Sequence, residues 1–174
     1  MKLILTVSLL ALAAPALAQT PAAAPQNTPG SGGHTVRGPS LALSIEAAQA
    51  AIDSCKATGY LVGATVVDDE GGIRISMTAD GAPTEGPNGS RRKAVTSAQE
   101  KTDGAALAER VKTDPALAAR LAANKDSLAR AGALLIKVGD RIVGVIGVEG
   151  NPHDLAKNVS CAQAGIDGIK ARLN

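Results

Sequence analysis

Residues 132–150 constrain the fold more than any other segment, because two β-branched, apolar stretches flank the dipeptide Gly139-Asp140. Glycine adopts a positive φ at little steric cost, so Gly-Asp suits a two-residue turn between antiparallel strands. The pattern predicts strands at 133–138 and 141–148. Gly144 and Gly147 lie inside the second strand. Since glycine weakens a strand, we expect another part of the chain to pack closely against the backbone there.

Capping residues mark where helices begin. Side chains of Ser, Thr, Asp and Asn accept hydrogen bonds from free N–H groups at a helix start, and proline suits the first position. These signals predict helices at about 45–58 after Ser44, from Asn88 or Ser90 to 103–104, at 105–111, from Asp114-Pro115 to 123, and from Asn151-Pro152 to 173.

A second hairpin is predicted from two further apolar runs, with strands at 61–67 and 73–78 around an acidic, glycine-containing turn. Hairpins favour antiparallel sheets, and helices then cover the sheet. The predicted order is α-β-β-α-α-β-β-α. We therefore predict an α/β (α+β) fold with a single antiparallel β-sheet flanked by helices.

The first 40 residues differ in composition from the rest. Lys2, an apolar run and the small residues Ala16-Leu17-Ala18 are typical of a secretory signal peptide at 1–18. Residues 19–40, rich in Pro, Gly and Ala, predict a flexible leader before a domain at 41–174. An uncleaved anchor is the alternative, but the apolar run is shorter than the about 20 residues that a membrane span needs. We expect a periplasmic or secreted protein with no membrane contact after cleavage.

Composition argues against nucleic acid as a partner. Eighteen basic and 16 acidic residues leave a net charge of +2, and Tyr60 is the only aromatic residue. Neither a strong positive field nor a stacking surface is therefore available. A core of Ala, Val, Leu and Ile buries less area per residue than aromatic side chains do, so assembly into a homo-oligomer would help stability.

The chain has two cysteines, Cys55 and Cys161. Export to an oxidising compartment permits a disulfide, provided that the two helices lie adjacent with Cα atoms within about 7 Å. The alternative is two buried or half-buried thiols. The sequence leaves both open.

Three consecutive cations, Arg91, Arg92 and Lys93, lie near the predicted start of the second long helix. The positive helix end opposes each of them by roughly 0.3–1 kcal/mol, unless an anion is close by. Free N–H groups at a helix start also bind anions. The cluster predicts a site for an anion, such as a phosphate or a small organic acid. The alternative is a solvated cluster paired with acidic side chains, namely Asp80, Glu85 or Glu100.

Only two histidines are present. His34 falls in the predicted leader, where a solvated state is the alternative to a role as a metal ligand. His153 falls at the predicted start of the last helix, where the helix end favours the neutral, metal-binding ring, and a surface residue is the alternative. With no neighbouring histidine or Cys-x-x-Cys, no dedicated zinc site is predicted. Asp68 and Asp69 end a strand, where turn bonding is the alternative to acid–base chemistry. No catalytic set emerges.

Six short motifs follow one another across about residues 41–170. They are Leu43–Ala48, Val66-Val67-Asp68 with Gly71-Gly72, Asp80-Gly81-Ala82, Lys93-Ala94-Val95-Thr96, Arg141–Val148 and Cys161–Gly165. In this order and spacing, they resemble the GlcG/HbpS-like family of small haem-binding and haem-degrading proteins.

The resemblance implies one antiparallel sheet between helices, homo-oligomers and haem as cofactor. Thr96 matches the family's threonine, and by resemblance it would face the ligand and contact iron through oxygen. The chain departs from the family at Gly71-Gly72-Ile73, where Gly-Gly-His is frequent, and at Thr78-Ala79, where an Arg-Met pair is frequent.

Three functions follow. The first is an exported, oligomeric haem- or tetrapyrrole-binding protein that uses Arg91, Arg92, Lys93, Thr96 and His153. Any haem degradation would then be chemistry of the iron with an oxidant. The second is a binder of a small organic acid such as glycolate, using the same cations. The third is a structural oligomerisation domain without a ligand.

Overall fold

Four strands form one antiparallel sheet: β1 (Val62–Asp68), β2 (Ile73–Thr78), β3 (Ala133–Val138) and β4 (Arg141–Gly150). The structure, a computed structural model, describes residues 37–150 and 154–173. The spatial order β2-β1-β4-β3 places β1 and β4 at the centre. Both hairpins are as predicted, with β4 two residues longer than expected and β1 shifted by one.

Five helices flank this sheet: α1 (Leu41–Lys56), α2 (Glu85–Glu100), α3 (Gly104–Thr113), α4 (Pro115–Ala123) and α5 (Leu155–Ile169). Helices α1 and α5 pack together on one face and enclose the larger apolar core, while α2 packs on the other face. A 3₁₀ turn at Lys170–Arg172 follows α5. The predicted α/β (α+β) class and single antiparallel sheet are confirmed, and the five predicted helices all form, three of them (α2, α3 and α4) between the two hairpins. No helix in the described part of the chain is long and apolar enough to cross a membrane.

Glycine allows α2 to approach the sheet closely. A Cβ at Gly147 would collide with the Ser90 carbonyl oxygen of α2 and lie 3.0 Å from the Ala94 Cβ. On the opposite face, a Cβ at Gly144 would lie 3.0 Å from Cδ of Pro39. The expectation of close packing against both glycines is confirmed.

The start of α1 was predicted wrongly. Ser40, and not Ser44, is the N-cap, because its Oγ accepts a hydrogen bond from the Leu43 N–H at 3.3 Å. Ser44 is buried inside the helix and donates to the Ser40 carbonyl at 2.9 Å.

The start of α2 was also predicted too late. The helix begins at Glu85, before both Asn88 and Ser90. Pro87 lies in its first turn, where a missing N–H costs nothing because no intrahelical acceptor exists for it. The helix ends at Glu100, and Lys101 adopts a left-handed φ of 51°.

The start of α4 was predicted correctly, and the start of α5 was not. Asp114 caps α4 as predicted, accepting from the Leu117 N–H at 3.0 Å. For α5 the predicted cap is wrong, because Asp154 is the N-cap and accepts from the Lys157 N–H at 3.0 Å. Asn151, Pro152 and His153 lie outside the described residues.

A disulfide joins Cys55 of α1 to Cys161 of α5, with 5.6 Å between the Cα atoms. Both residues are buried in the core between the two helices. The alternative of two thiols is therefore excluded in this structure.

Candidate functional site

The three predicted cations lie on α2, but more than one turn beyond its start at Glu85. The field of a helix end falls off within its first turn, so the helix-dipole argument for an anion site here is wrong. What these side chains contact must decide their role.

Arg91 and Arg92 bind the segment that joins α4 to β3, residues 124–132, which we call the strap. Arg91 Nη2 lies 2.9 Å from Asp126 Oδ1 and 3.2 Å from Asn88 Oδ1. Arg92 Nη2 donates to the Ser127 carbonyl at 2.8 Å. The two guanidinium groups are therefore partly occupied by groups of the protein itself.

Thr96 holds the same strap one turn further along α2. Its Oγ1 accepts a hydrogen bond from the Leu128 N–H at 2.9 Å, and the residue is only 1% exposed. In this conformation a ligand cannot reach Thr96 unless the strap moves.

Lys93 has a different environment, because it is fully buried beneath α2. Its Nζ lies 2.7 Å from Glu149 Oε2 and donates to the Val148 carbonyl at 3.1 Å. Burial lowers the pKa of Lys93, and the bond to Glu149 opposes that shift. A buried charge requires such a partner. Lys93 therefore joins α2 to β4 and does not face a surface ligand.

Glu149 also contacts two residues from other elements. Asn158 Nδ2 of α5 donates to Oε1 at 3.4 Å, and Arg130 Nη1 of the strap lies 3.9 Å from Oε2. Gly89 of α2 provides the space for this carboxylate, because a Cβ there would lie 2.6 Å from Glu149 Cγ.

A crevice of about 220 Å³ opens between the first half of α2, the strap and the end of β4. It is lined by charged, amide and apolar groups, namely Glu85, Asn88, Gly89, Arg92, Leu128, Arg130 and Glu149. Two arginines at one crevice can bind a carboxylate or phosphate through paired N–H donors.

Two of these residues, Arg130 and Glu149, were missed by the sequence analysis. Glu149 carries a detectable signal, since it is a single carboxylate in a strand whose neighbours Val148 and Gly150 indicate burial. A buried carboxylate needs a cationic partner. Arg130 carries no signal, because an isolated arginine in a connecting segment is ordinary.

The alternative partners predicted for the cations were wrong. Arg91 and Lys93 pair with Asp126 and Glu149, and not with Asp80, Glu85 or Glu100. Glu100 instead accepts two bonds from Arg120 of α4, at 2.8 and 3.0 Å, and this pairing lowers the pKa of Glu100.

The remaining candidate residues from the sequence are the aspartate at the end of β1 and the two histidines. Asp68 accepts hydrogen bonds from the Glu70 and Gly72 N–H groups, so its turn role is confirmed. His34 and His153 fall outside the described residues. Within 37–150 and 154–173, no cluster of three or more His, Cys, Asp or Glu could hold a metal ion.

A family model described as haem degrading protein HbpS-like matches residues 40–167. The chain belongs to the HbpS-like family. The match spans all five helices and all four strands up to the last turn of α5. No curated protein sequence matches the chain.

Solved structures agree with this membership. A double mutant of HbpS from Streptomyces reticuli is 28% identical, with a TM-score of 0.68 and coverage of 84% of this chain and 97% of that one. Protein ORFY from Klebsiella pneumoniae is 20% identical, with a TM-score of 0.70 and coverage of 84% and 100%. A PduOC–heme complex is 18% identical, with a TM-score of 0.67 and coverage of 76% and 95%. The last two show likeness of fold alone.

Proposed function

We propose that this HbpS-like chain is an exported, oligomeric haem- or tetrapyrrole-binding protein. Arg91 and Arg92, with Arg130, bind the acidic groups of the ligand. The observation that carries the proposal is the crevice beside α2, which Arg92 and Arg130 line in a member of a haem-degrading family, with Arg91 next to Arg92 on the helix.

The guanidinium groups at this site are suited to bind the propionates at the acidic edge of a haem. Guanidinium groups bind carboxylates through two parallel N–H donors, which suits propionates. Lys93 supports this site from beneath, because its bond to Glu149 fixes α2 on the sheet. When bound, haem supplies the redox chemistry of its iron, and the protein orients the group.

The iron ligand is proposed separately from the acidic edge. Both cysteines are in a disulfide, and the described residues contain no histidine. We assign His153, three positions after the end of β4 in the chain, as the residue that approaches the ring. Thr96 is the alternative oxygen ligand, and it requires displacement of the strap.

The crevice is too small for a whole tetrapyrrole. A volume of about 220 Å³ is below the roughly 300–1,000 Å³ of typical small-molecule pockets. It accommodates the acidic groups, so the ring would lie outside the crevice. The oligomer is part of the proposal because a second copy of the chain could then cover the exposed ring.

The disulfide supports export. Bonds such as Cys55–Cys161 persist in oxidising compartments and are rare in the cytosol. This agrees with the secretory signal peptide predicted at 1–18 and with a periplasmic or secreted location.

Haemin titration followed by visible absorption tests the proposal. We expect a shifted Soret band that saturates at micromolar protein. Replacing both arginines (Arg91→Ala with Arg92→Ala) should weaken or abolish the shift, while the charge-matched control Lys112→Ala with Lys170→Ala, both exposed, should leave it unchanged. Lys93 stays intact because removing its buried bond to Glu149 would destabilise the domain and so complicate the comparison. Absence of a shift in the wild-type protein would remove the haem proposal.

A small organic acid such as glycolate is the second candidate, and the crevice volume favours it. Two arginines in about 220 Å³ suit a compact carboxylate better than a macrocycle. Specific binding must raise the unfolding midpoint. A panel of hydroxy acids that raises the midpoint of the wild type but not of an Arg92→Ala with Arg130→Ala variant would select this function over haem. A protein that binds neither would be a structural oligomerisation domain.

A further inference from the structure

The strap covers the side chains that the proposed function assigns to a ligand. Its two ends are fixed: the Asn124 N–H donates to the Leu121 carbonyl of α4 at 3.2 Å, and the Gly132 carbonyl accepts from the Val148 N–H at 2.7 Å. Gly132 has a φ of +108°, and a Cβ there would lie 2.8 Å from the Asn158 Cβ. The strap is therefore attached to the fold at both ends.

The middle of the strap is held by α2 side chains. Arg91 binds the carboxylate of Asp126, Arg92 binds the carbonyl of Ser127, and Thr96 binds the N–H of Leu128. The same guanidinium N–H groups would bind the acidic groups of a ligand. Strap and ligand thus need the same donors.

We propose that the strap is an autoinhibitory cover, whose Asp126 carboxylate occupies Arg91 until an acidic ligand displaces it. This rests on the proposed function. Displacement also releases Ser127 from Arg92 and Leu128 from Thr96, which widens the crevice that Arg92 and Leu128 line.

The Arg91–Asp126 contact is weak enough to be exchanged. The Asp126 side chain is 70% exposed, and ion pairs at such positions contribute between 0 and about 1 kcal/mol. A carboxylate held by two N–H donors forms stronger, more directional bonds than this single contact. A ligand with two acidic groups can therefore replace the strap.

Asp126→Asn tests the competition, and Asp140→Asn is its matched control. Asp140 is exposed in the β3–β4 turn and carries the same charge. We expect Asp126→Asn to bind haemin about two- to fivefold more tightly than the wild type, as loss of an exposed ion pair predicts. Asp140→Asn should match the wild type. Haemin dimethyl ester, which lacks the propionate charges, should show no difference among the three proteins.

Hydrogen exchange of backbone amides distinguishes displacement of the strap from a simple change in local charge. The Leu128 amide is protected by Thr96, so haemin binding to the wild type should accelerate its exchange. Unchanged exchange, or equal haemin affinity of wild type and Asp126→Asn, would overturn the cover while leaving haem binding intact. Absence of any Soret shift in both proteins would overturn both proposals.

Discussion

Lys93 is the residue whose environment determines what its neighbours on α2 can do. Its ammonium group is completely buried and pairs with Glu149 at 2.7 Å. The sequence places it beside two arginines, and nothing local distinguishes the three cations. The difference arises because Lys93 faces the sheet whereas Arg91 and Arg92 face the strap. Predicting this difference would have required the position of Glu149, which lies 56 positions later in the chain and belongs to another element.

Lys93→Met tests the buried pair. Removing one partner leaves the other charge uncompensated, and such changes cost about 3–5 kcal/mol in the free energy of unfolding. Urea unfolding should show this loss, while Lys112→Met, whose bond to Glu109 is exposed, should change stability by less than about 1 kcal/mol. Adding Glu149→Gln to Lys93→Met should recover part of the loss. A Lys93→Met protein as stable as the control would show that the pair is not buried as described.

At the scale of elements, the contact between α2 and β4 positions the candidate site. The sequence predicted close packing at Gly147 correctly, because an interior strand glycine is unfavourable unless another element needs its space. The sequence did not predict the helix start, because Pro87 suggests a boundary where the structure places it in the first turn of α2. The first-turn argument for the cations was wrong for the same reason.

Gly147→Ala tests that contact. A methyl group would meet the backbone carbonyl of Ser90, which cannot rotate away, so we expect a loss of about 1–3 kcal/mol in the free energy of unfolding. Gly168→Ala is the control, because on α5 its Cβ lies at an ordinary 3.4 Å from Ala50 Cβ and alanine favours a helix. An equal effect of both changes would contradict the close packing of α2 on β4.

The bond between Glu100 and Arg120 links α2 to α4 and predicts a dependence on pH. Because Arg120 lowers the pKa of Glu100 below 4.5, the bond stabilises the folded state above about pH 4.5. This stabilisation is lost as the pH falls through the folded-state pKa. Urea unfolding should show Glu100→Gln less stable than the wild type at pH 7, and the two should converge in acid. A difference that persists undiminished in acid would exclude the ion pair as its cause.

At the scale of the whole molecule, small aliphatic residues pack helices on both faces of the sheet, and one disulfide joins the two helices of one face. The element order and single antiparallel sheet followed from hairpin turns and caps, which are local signals. The disulfide did not, because the proximity of Cys55 and Cys161 depends on the packing of α1 on α5 across 106 positions. The site was partly predictable: Arg92 lines the crevice and Arg91 precedes it on α2, whereas the path of the strap is what brings Arg130 to the crevice and Asp126 to Arg91.

Reduction tests the contribution of the disulfide. A bond that closes so long a loop contributes about 2–5 kcal/mol, chiefly by restricting the unfolded chain. We expect dithiothreitol, or Cys55→Ala with Cys161→Ala, to lower the unfolding midpoint to a similar extent. Dithiothreitol added to the double variant should then have no effect. An unchanged midpoint on reduction would mean that the bond does not stabilise the folded protein.

The most direct test of the whole account is a crystal structure of the protein with haemin. We expect propionate oxygens within about 3 Å of the Arg91 and Arg92 guanidinium nitrogens, with Asp126 moved away from Arg91. Haemin bound elsewhere, with the Arg91–Asp126 and Arg92–Ser127 bonds intact, would contradict it.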